Sequence, residues 1–472
     1  MYNEVYKKSK VRKFYNQIYD WAKSLPENVI VKKKNEAENL FKKIGITFSV
    51  YNNFDSSERL IPFDMFPRII SPSEWKKIHD GVTQRALAIN AFLRDIYHTG
   101  EIFRAGVIPS DLIYRNPAFD VKMIGFDVPH HVYAPIIGSD IVRTSKNDFY
   151  VLEDNCRIPS GVSYMIENRE IMMRMFPDIF QQMKVESVDS YPQHLLNTLM
   201  SLKPKNCYGE PNVVLLTPGP LNSAYYEHTY LADTMGIELV QGNDLYVEDG
   251  ITYMMTTVGP KKIDVIYRRI DDKFLDPLSY DNSSLIGIPG LFDSYKSQNL
   301  TIASAPGSGI ADDKAIYSFM PDIIKFYLGE KPILNNINTF SCYNTEDRKY
   351  VLDNIHKLVI KEVHGSGGYG MLIGDRASKT NIDLFKKKIN QNPSGYIAQP
   401  ILDLSTVPIF DSANLSERHV DFRPFCLVGS NFRKLVSGGL TRVALREGSL
   451  VVNSSQGGGV KDTWVLAGKD AK

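Results

Sequence analysis

The most informative stretch of the chain is an apolar segment that runs into a glycine-rich loop between residues 357 and 374. Lys361 lies in the apolar segment, and a short second apolar segment follows the loop. The loop glycines are Gly365, Gly367, Gly368 and Gly370. Glycines let backbone N–H groups turn toward an anion at close range, and a lysine adds a point charge on phosphate.

This loop does not match the common phosphate-binding motifs. It lacks the GKS or GKT ending of a P-loop, and no helix pattern follows it, as a Rossmann fingerprint requires. Two strands joined by glycines are closer to the flap that covers the phosphates in kinases and related folds. We therefore predict a nucleotide site here, with a glycine-rich hairpin that binds nothing as the alternative.

A second candidate segment lies upstream, where two strand-like pieces carry oxygen-bearing side chains. Asp140 lies on the first piece, and Glu153 and Asn155 lie on the second. Side chains of a strand alternate with a period of two, so Glu153 and Asn155 share a face. A carboxylate beside an amide oxygen suits Mg²⁺, which completes its shell with water and substrate phosphates. The spacing predicts a magnesium site, with a hairpin that ends in a polar turn as the alternative.

Several polar residues near these segments are candidates for binding an acidic substrate. Arginine suits carboxylates because its guanidinium can donate two parallel hydrogen bonds. The candidates that flank the metal motif or end a predicted strand are Arg143, Arg157, Ser160, Arg268 and Arg269. The alternative for each arginine is a structural ion pair.

The elements that must position these residues are predicted from hydrophobic periodicity. Ser71 is expected to cap a helix, with Pro72 at its first position and Glu74 reaching back to the cap. Apolar residues then recur every three or four positions up to Ile96, which is the pattern of one buried helix face.

Farther along, the chain alternates between strand and helix patterns. Apolar runs at 213–216, 237–240 and 263–267 surround a helical stretch that ends near Met235. This order predicts an α/β unit with a parallel sheet, so residues 206–310 are expected to form a Rossmann-like subdomain. After about residue 350 the chain becomes strand-rich and glycine-punctuated, as in an antiparallel nucleotide-covering domain.

Taken together, the metal motif and the glycine loop resemble the ATP-grasp superfamily, specifically its circularly permuted type-2 branch. In that branch the metal ligands precede the lysine and the flap, as they do here, and the motif order is similar to that of the ligase domain of glutathionylspermidine synthase. The resemblance extends from about residue 60 to the end of the chain. Its strongest parts are 75–97, 153–169, 267–313 and 421–464.

The resemblance implies a mixed α/β fold, a circularly permuted ATP-grasp with a Rossmann-like and an antiparallel nucleotide-covering subdomain. The expected parts are a basic helical segment (1–60), a magnesium-ligand part (61–205), the Rossmann-like subdomain (206–310), and the part with the lysines, flap and hinge (311–472). The first 43 residues carry eleven Lys and Arg against five Asp and Glu, which a solvated helix face explains.

The resemblance also implies a complete Mg-ATP site. Lys314 is similar to the first ATP lysine of the family and Lys361 to the second. The residues expected to contact ATP in addition are His364, Gly365, Ser366, Gly367, Gly368, Gly370, Gln399, Ile401 and Leu402. Arg423 resembles the arginine that reaches the transferring phosphoryl group, with a same-strand ion pair to Asp421 as the alternative. A closing glycine turn with Asn453, Gly457 and Gly458 is expected to line the phosphates or the acyl substrate.

Length and composition set the remaining limits. A chain of 472 residues predicts two or more subdomains, and a net charge of +1 indicates neither nucleic acid nor membrane as the partner. Four cysteines without a CxxC pair exclude a cysteine zinc site and favour a reducing compartment. No signal peptide or membrane-length apolar run is present, so we expect a soluble cytoplasmic protein. A homodimer remains open.

The function that the resemblance implies is ATP-dependent ligation of a carboxylate to an amine through an acyl phosphate, with release of ADP and phosphate. The substrates would be small-molecule or peptide acids and amines. One rival is a phosphotransferase that uses the same ATP site on a hydroxyl group. The other is a nucleotide-binding module without catalysis.

Overall fold

The computed structural model describes residues 1–45, 47–52, 55–365, 370–411, 414–452 and 457–468. The helices in these ranges are α1 (Asn16–Ser24), α2 (Glu27–Ile44), α3 (Pro72–Tyr97), α4 (Glu101–Arg104), α5 (Asp111–Tyr114), α6 (Val162–Met175), α7 (Pro177–Gln182), α8 (Tyr191–Ser201), α9 (Tyr225–Met235), α10 (Leu291–Lys296), α11 (Lys314–Tyr317), α12 (Met320–Leu328), α13 (Thr345–Asn354) and α14 (Lys379–Gln391).

The strands in the same ranges are β1 (Tyr6–Lys7), β2 (Lys10–Val11), β3 (Thr47–Asn52), β4 (Asp55–Leu60), β5 (Phe63–Ile70), β6 (Ile136–Arg143), β7 (Phe149–Asn155), β8 (Val213–Leu216), β9 (Glu238–Val240), β10 (Leu245–Glu248), β11 (Ile251–Thr256), β12 (Gly259–Lys262), β13 (Val265–Arg268), β14 (Thr301–Ala303), β15 (Asn335–Asn336), β16 (Phe340–Ser341), β17 (Leu358–Glu362), β18 (Leu372–Ile373), β19 (Tyr396–Pro400), β20 (Thr406–Asp411), β21 (Asn414–Arg423), β22 (Phe425–Val428), β23 (Arg433–Lys434), β24 (Leu440–Val443) and β25 (Gly459–Val465). The predicted mixed α/β class is confirmed.

The central layer is a ten-stranded sheet built from distant parts of the chain. Its main path runs β15, β7, β6, β21, β24, β25 and β5, with β20 beside β21 and β22 beside β6. β5 near the start of the chain pairs in parallel with β25 near its end. Strands that are more than 250 residues apart in sequence therefore lie side by side, which brings β6 and β7 next to β21 and β24.

A smaller parallel sheet forms the predicted Rossmann-like unit. Its strand order is β14, β13, β8 and β9, and every neighbouring pair is parallel. α9 connects β8 to β9, and its C-terminal Gly236 takes a left-handed conformation with φ of 67°, which glycine adopts without strain. The observed strands follow the predicted apolar runs closely. Apolar side chains of both faces are buried, as in parallel sheets covered by helices.

The antiparallel sheet that covers the large sheet has the order β16, β19, β17 and β18. Lys361 lies on β17, opposite Ile397 of β19. A separate apolar cluster, which includes Val351, Ile360 and Ile389, packs α13 and α14 against this sheet. The strand-rich interpretation of the chain after residue 350 missed α14, although Ile382, Phe385 and Ile389 recur at helical spacing and pack against this cluster.

Helix α3 anchors β7, the metal-motif strand that carries Glu153 and Asn155, to the body of the protein. Its predicted capping box is present: Ser71 accepts from the Glu74 N–H, and the Glu74 carboxylate accepts from the Ser71 N–H at 3.0 Å. Arg85 of this helix, 1% exposed, forms an ion pair with Asp154 of β7, 2% exposed. Ser139 also donates to Asp154 at 2.6 Å. No helix within the described ranges combines the length and apolar composition needed to cross a membrane.

We expect Arg85→Met to lower the free energy of unfolding by about 3–5 kcal/mol, because it leaves the buried Asp154 carboxylate without its countercharge. Arg104→Met is the matched control, since Arg104 is 70% exposed and pairs only with Glu101 at the surface. It should change the free energy by less than about 0.5 kcal/mol. Urea denaturation measures both. Equal stabilities for the two variants would contradict the anchoring role of the buried pair.

Candidate active site

Strands β6 and β7 present their polar side chains on two faces. Asp140 lies directly opposite Glu153 in the antiparallel register, and Gly138 lies opposite Asn155. Asp154, between the two predicted ligands, turns to the other face and pairs with Arg85. Glu153 and Asn155 therefore share the face that looks toward the covering sheet, where Glu153 keeps 30% of its side chain exposed.

Asp140 is the centre of a buried network of four charges. Its carboxylate accepts two hydrogen bonds from Arg423, one of them at 2.8 Å, and another from Arg442 at 2.7 Å. Arg442 also binds both oxygens of Asp421, at 2.9 Å and 2.5 Å. Burial alone would raise the pKa of Asp140, but the two guanidinium groups outweigh it and hold the pKa well below its ordinary value.

This arrangement changes one interpretation from the sequence. Arg423 does not pair with Asp421 on its own strand. Arg423 pairs with Asp140 of β6 instead, and Asp421 pairs with Arg442 of β24. Arg442, which sequence reasoning missed, lies opposite Asp421 in the register of β24 against β21. Only that register identifies it, because nothing in the local sequence around Arg442 distinguishes it from other strand arginines.

Three consecutive residues connect the metal-motif strand to the covering sheet. Asp312 accepts the backbone N–H groups of Cys156 and Arg157, just after β7, and burial raises its pKa to about 6. Asp313 caps α11 by accepting from the Ala315 and Ile316 N–H groups. Lys314 then reaches Glu153, with 3.7 Å from Nζ to Oε2. Sequence reasoning identified the lysine of this triplet but not Asp312.

The two predicted ATP lysines converge on the same carboxylate. The pKa of Lys361 is lowered, above all by burial, while Glu153 and Asp140 oppose that shift and Lys314 adds to it. These four charges therefore lie within electrostatic reach of one another. Ala315, Val363 and Ile397 form a small apolar cluster that joins α11 to the covering sheet, which holds the two lysines at this spacing.

The glycine-rich flap, which begins at Gly365, starts beside Lys314. The Lys314 ammonium donates to the carbonyl oxygen of Gly365. His364 is 52% exposed, and its Nδ1 lies 3.2 Å from an Asp313 oxygen. Gly370 has a φ of 69°, a left-handed conformation that favours glycine because side chains with a Cβ rarely adopt it. Ser366, Gly367 and Gly368 lie outside the described residues.

The predicted adenine edge contains one side chain that is already engaged. Gln399 is 2% exposed and donates to Thr339 Oγ1 at 3.0 Å. The Ile401 N–H donates to the Lys357 carbonyl oxygen at 3.4 Å. Leu402 is partly exposed, and its N–H has no backbone partner among the described residues. Leu402 is thus the main-chain donor of this segment that an adenine ring could use.

The five substrate-binding candidates separate into two groups. Arg143 is buried against Glu4 and Glu74, and Arg268 binds the carbonyl oxygens of residues 304 and 270, so neither guanidinium is available to a ligand. Ser160 and Arg269, by contrast, line a cavity of about 300 Å³. Arg157 forms an ion pair with Asp271 beside this cavity, at 2.9 Å.

The closing glycine turn is described only in part. Asn453 lies outside the described residues. Gly457 is exposed with a φ of 88°, and Gly458 is buried. The prediction that this turn lines the phosphates or the acyl substrate therefore stays a prediction.

Glu153 and Asn155 provide a donor set that fits a hard cation. Asn155 donates its amide nitrogen to the Gly138 carbonyl oxygen at 3.2 Å, and its oxygen has no hydrogen bond from the described residues. Mg²⁺ needs only one or two carboxylates when substrate phosphates complete its shell. Asp140 differs, because its oxygens are occupied by Arg423 and Arg442. Within the described ranges, no three His, Cys, Asp or Glu side chains cluster as a metal site.

The chain resembles known proteins over nearly its whole length. A family model described as circularly permuted ATP-grasp type 2 matches residues 67–444. The uncharacterized protein sll0335 of Synechocystis is 47% identical over 96% of this chain and 94% of its own length. A Frankia alni protein named "Putative glutamate--cysteine ligase 2-3" is 36% identical over 89% of this chain, which spans only 48% of that relative.

One solved structure has the same overall fold despite little sequence similarity. It is the apo form of a glutathione synthetase-like effector, GSS30, from Globodera pallida. The TM-score is 0.57 at 10% identity, over 94% of this chain and 99% of that chain. At this identity the likeness concerns the fold alone.

We expect Lys361→Ala to raise the Kd for a non-hydrolysable ATP analogue at least tenfold, about 1.4 kcal/mol, without lowering thermal stability. The partly buried ammonium of Lys361 has no hydrogen-bond partner among the described side chains, so it is available to bind phosphate. Lys357→Ala, at an exposed position four residues earlier, is the control. Calorimetry with both variants decides, and unchanged affinity in Lys361→Ala would contradict its place at the phosphates.

Proposed function

This chain belongs to the circularly permuted ATP-grasp type 2 family, and we propose that it is a Mg-ATP-dependent carboxylate–amine ligase. The observation that supports this most directly is the convergence of Lys314 and Lys361 on Glu153. Two cations, a partly exposed carboxylate and Gly365, the first glycine of the loop, lie close together, and this supports binding of nucleotide phosphates. The buried Asp140–Arg423 pair borders the same site.

In the first step, an oxygen of the acid substrate attacks the γ-phosphorus of ATP, and the bond to the ADP oxygen breaks. The products are an acyl phosphate and ADP. Magnesium, when bound at Glu153 and Asn155, would neutralise charge on the phosphate oxygens. Lys314 and Lys361 bind and orient the phosphates from the two sides of the site. Arg423, held in place by Asp140, stabilises the negative charge of the transferring group.

In the second step, an amine attacks the acyl carbon, phosphate leaves, and the nitrogen gives up a proton to form an amide. A carboxylate alone is a poor acyl donor, and phosphorylation provides the leaving group. The flap of the covering sheet keeps water away from the acyl phosphate until the amine arrives. The Lys314 hydrogen bond to the Gly365 carbonyl oxygen couples the flap to the phosphate-binding lysine.

The Frankia relatives suggest which substrates to test first. They are named for glutamate and cysteine. Each match spans 89% of this chain but only 48% of the relative. Glutamate as the acid and cysteine as the amine therefore enter the screen. Other amino acids, short peptides and polyamines complete the substrate pools.

We expect Glu153→Gln to reduce magnesium-dependent ADP release at least a hundredfold in a folded protein, because the neutral amide binds the cation and Lys314 far less strongly. Glu170→Gln is the matched control, since Glu170 is 41% exposed and pairs with Arg174 at the surface. ADP release is measured with the substrate pools across a magnesium titration. Activity of Glu153→Gln close to that of the control would remove Glu153 from the site.

With its acid and ATP, the enzyme should form an acyl phosphate and release ADP, never AMP. The grouping of two lysines with Glu153 is suited to hold the terminal phosphates of ATP, and this favours cleavage of the β–γ bond. Labelled ATP, magnesium, the acid pool and hydroxylamine test this, and a hydroxamate with ADP is expected. AMP with pyrophosphate would refute the mechanism. ADP with a stable phosphorylated alcohol, and no hydroxamate, would establish the rival phosphotransferase.

A further inference from the structure

A cavity of about 300 Å³ lies where β8 and β13 end. Its polar lining residues are Ser160, Asn222, His228, Arg269 and Asp271, and the other lining side chains are apolar. Its volume is at the lower end of the range for small-molecule sites, about 300–1,000 Å³. Apolar walls with a few polar groups are also what such sites have in common.

The position of the cavity in the parallel sheet is that of a binding site. From β8 the chain passes through α9 to β9 on one side, whereas β13 and β14 lie on the other side. The strand order thus reverses between β8 and β13. In open parallel sheets, ligands bind at this switch point, outside the carboxyl ends of the strands. Pro218 follows β8, and Arg269 follows β13.

Arg269 is a buried cation with one guanidinium nitrogen that has no hydrogen-bond partner among the described residues. Its side chain is 1% exposed, and its terminal nitrogens donate to the Pro159 carbonyl oxygen, the Tyr267 hydroxyl and Glu227. Its Nε is fully buried and has no hydrogen-bond partner among the described residues. Glu227 Oε1 accepts from Arg269 Nη2 and Glu227 Oε2 accepts from Gly161 and Ser163, so neither oxygen pairs with Nε in this structure. A buried donor without a hydrogen-bond partner lowers the stability of the fold unless a ligand accepts a hydrogen bond from it.

Other polar groups of the cavity are also donors without internal partners. Neither the Ser160 hydroxyl nor the Asn222 amide nitrogen has a partner among the described residues; Asn222 uses only its oxygen, for the Ala224 N–H at 2.9 Å. His228 is neutral, because burial and Arg269 lower its pKa to about 2, and its Nδ1 lies 2.8 Å from Thr217 Oγ1. A donor-rich cavity suits a ligand rich in acceptors.

The charge of Asp271 does not oppose an anion here. Its Oδ1 lies 2.9 Å from Arg157, and the two side chains are 43% and 42% exposed. This pair is therefore neutral as a unit and accessible from solvent. Arg269 is likewise paired with Glu227, at 2.9 Å, so what the interior of the cavity offers an anion is hydrogen-bond donors and not net positive charge.

One short segment joins the cavity to the phosphoryl-transfer site. The Pro159 carbonyl oxygen accepts from Arg269, and the next carbonyl oxygen, of Ser160, accepts from Arg423 at 3.2 Å. Two arginines on opposite sides of residues 159–160 therefore belong to neighbouring sites.

We propose that this cavity binds the acid substrate, and that this acid is of amino-acid size and carries two carboxylates. One carboxylate extends past Ser160 to be phosphorylated, and the other accepts from Arg269 Nε and Asn222. Acidic amino acids are the simplest members of this class. The inference rests on the proposed ligase function for the role of the first carboxylate, but the binding itself does not require ATP.

Calorimetry on the full chain without ATP tests the ligand class. The probes are aspartate, glutamate and α-aminoadipate, each beside the amide in which the side-chain carboxylate is neutral. We expect at least one diacid to bind with a Kd at least tenfold lower than its amide. Equal affinity for acid and amide, or no binding by any of the three acids, overturns the proposal.

Variants test the place of binding. Asn222→Ala and Arg269→Lys should each weaken binding of the preferred diacid at least tenfold, while affinity for the ATP analogue stays unchanged. Arg269→Lys retains a cation for Glu227 but removes Nε–H, and Asn222→Ala gives an independent answer if that variant does not fold. Asn381→Ala, at an exposed position of α14, is the control. Unchanged diacid binding in Asn222→Ala and in a folded Arg269→Lys overturns the assignment.

The two proposals fail in different ways. Diacid binding at the cavity without any ADP release or hydroxamate would retain this site and refute the ligase. A hydroxamate with ADP from an acid with a single carboxylate, and no diacid binding, would retain the ligase and refute this inference.

Discussion

The buried network around Asp140 is the interaction on which the candidate site depends. Asp140, Arg423, Asp421 and Arg442 come from three neighbouring strands and sum to zero charge. In a low-dielectric interior each charge needs its partners, so loss of one group leaves the others uncompensated. The network therefore sets the alignment of β6, β21 and β24. It also holds Arg423, whose guanidinium donates to the Ser160 carbonyl oxygen at 3.2 Å.

The alternation of side chains along β7 also positions the candidate site. Asp154 turns inward to Arg85, and this forces Glu153 and Asn155 to the opposite face. A shift of register by one residue would reverse both faces and bury the predicted metal ligands. Asp312 then binds the backbone directly after β7, which connects the same strand to Lys314. Arg85, Asp154 and Asp312 thus position the candidate site without belonging to its predicted ligand set.

Much of the candidate site could be predicted from the sequence because its chemistry is concentrated in short segments. The order of the metal motif, Lys314, Lys361 and the glycine loop indicated the fold, which the family model and the solved structure support. The arginines could not be sorted in the same way. Arg143 and Arg269 are both strand-end arginines in sequence, yet one is enclosed by Glu4 and Glu74 while the other lines a cavity.

Local sequence determined which faces of α3 and β7 are apolar, where α3 is capped, and which residues can bind phosphate or a cation. These properties depend on side-chain type and on the period of the local backbone, which a few residues specify. Tertiary structure alone decided that Asp140 binds Arg423 and Arg442, and that Ser160 and Arg269 share a cavity. Those partners are far apart in the chain, and their contacts follow from strand order and register, which no local pattern specifies.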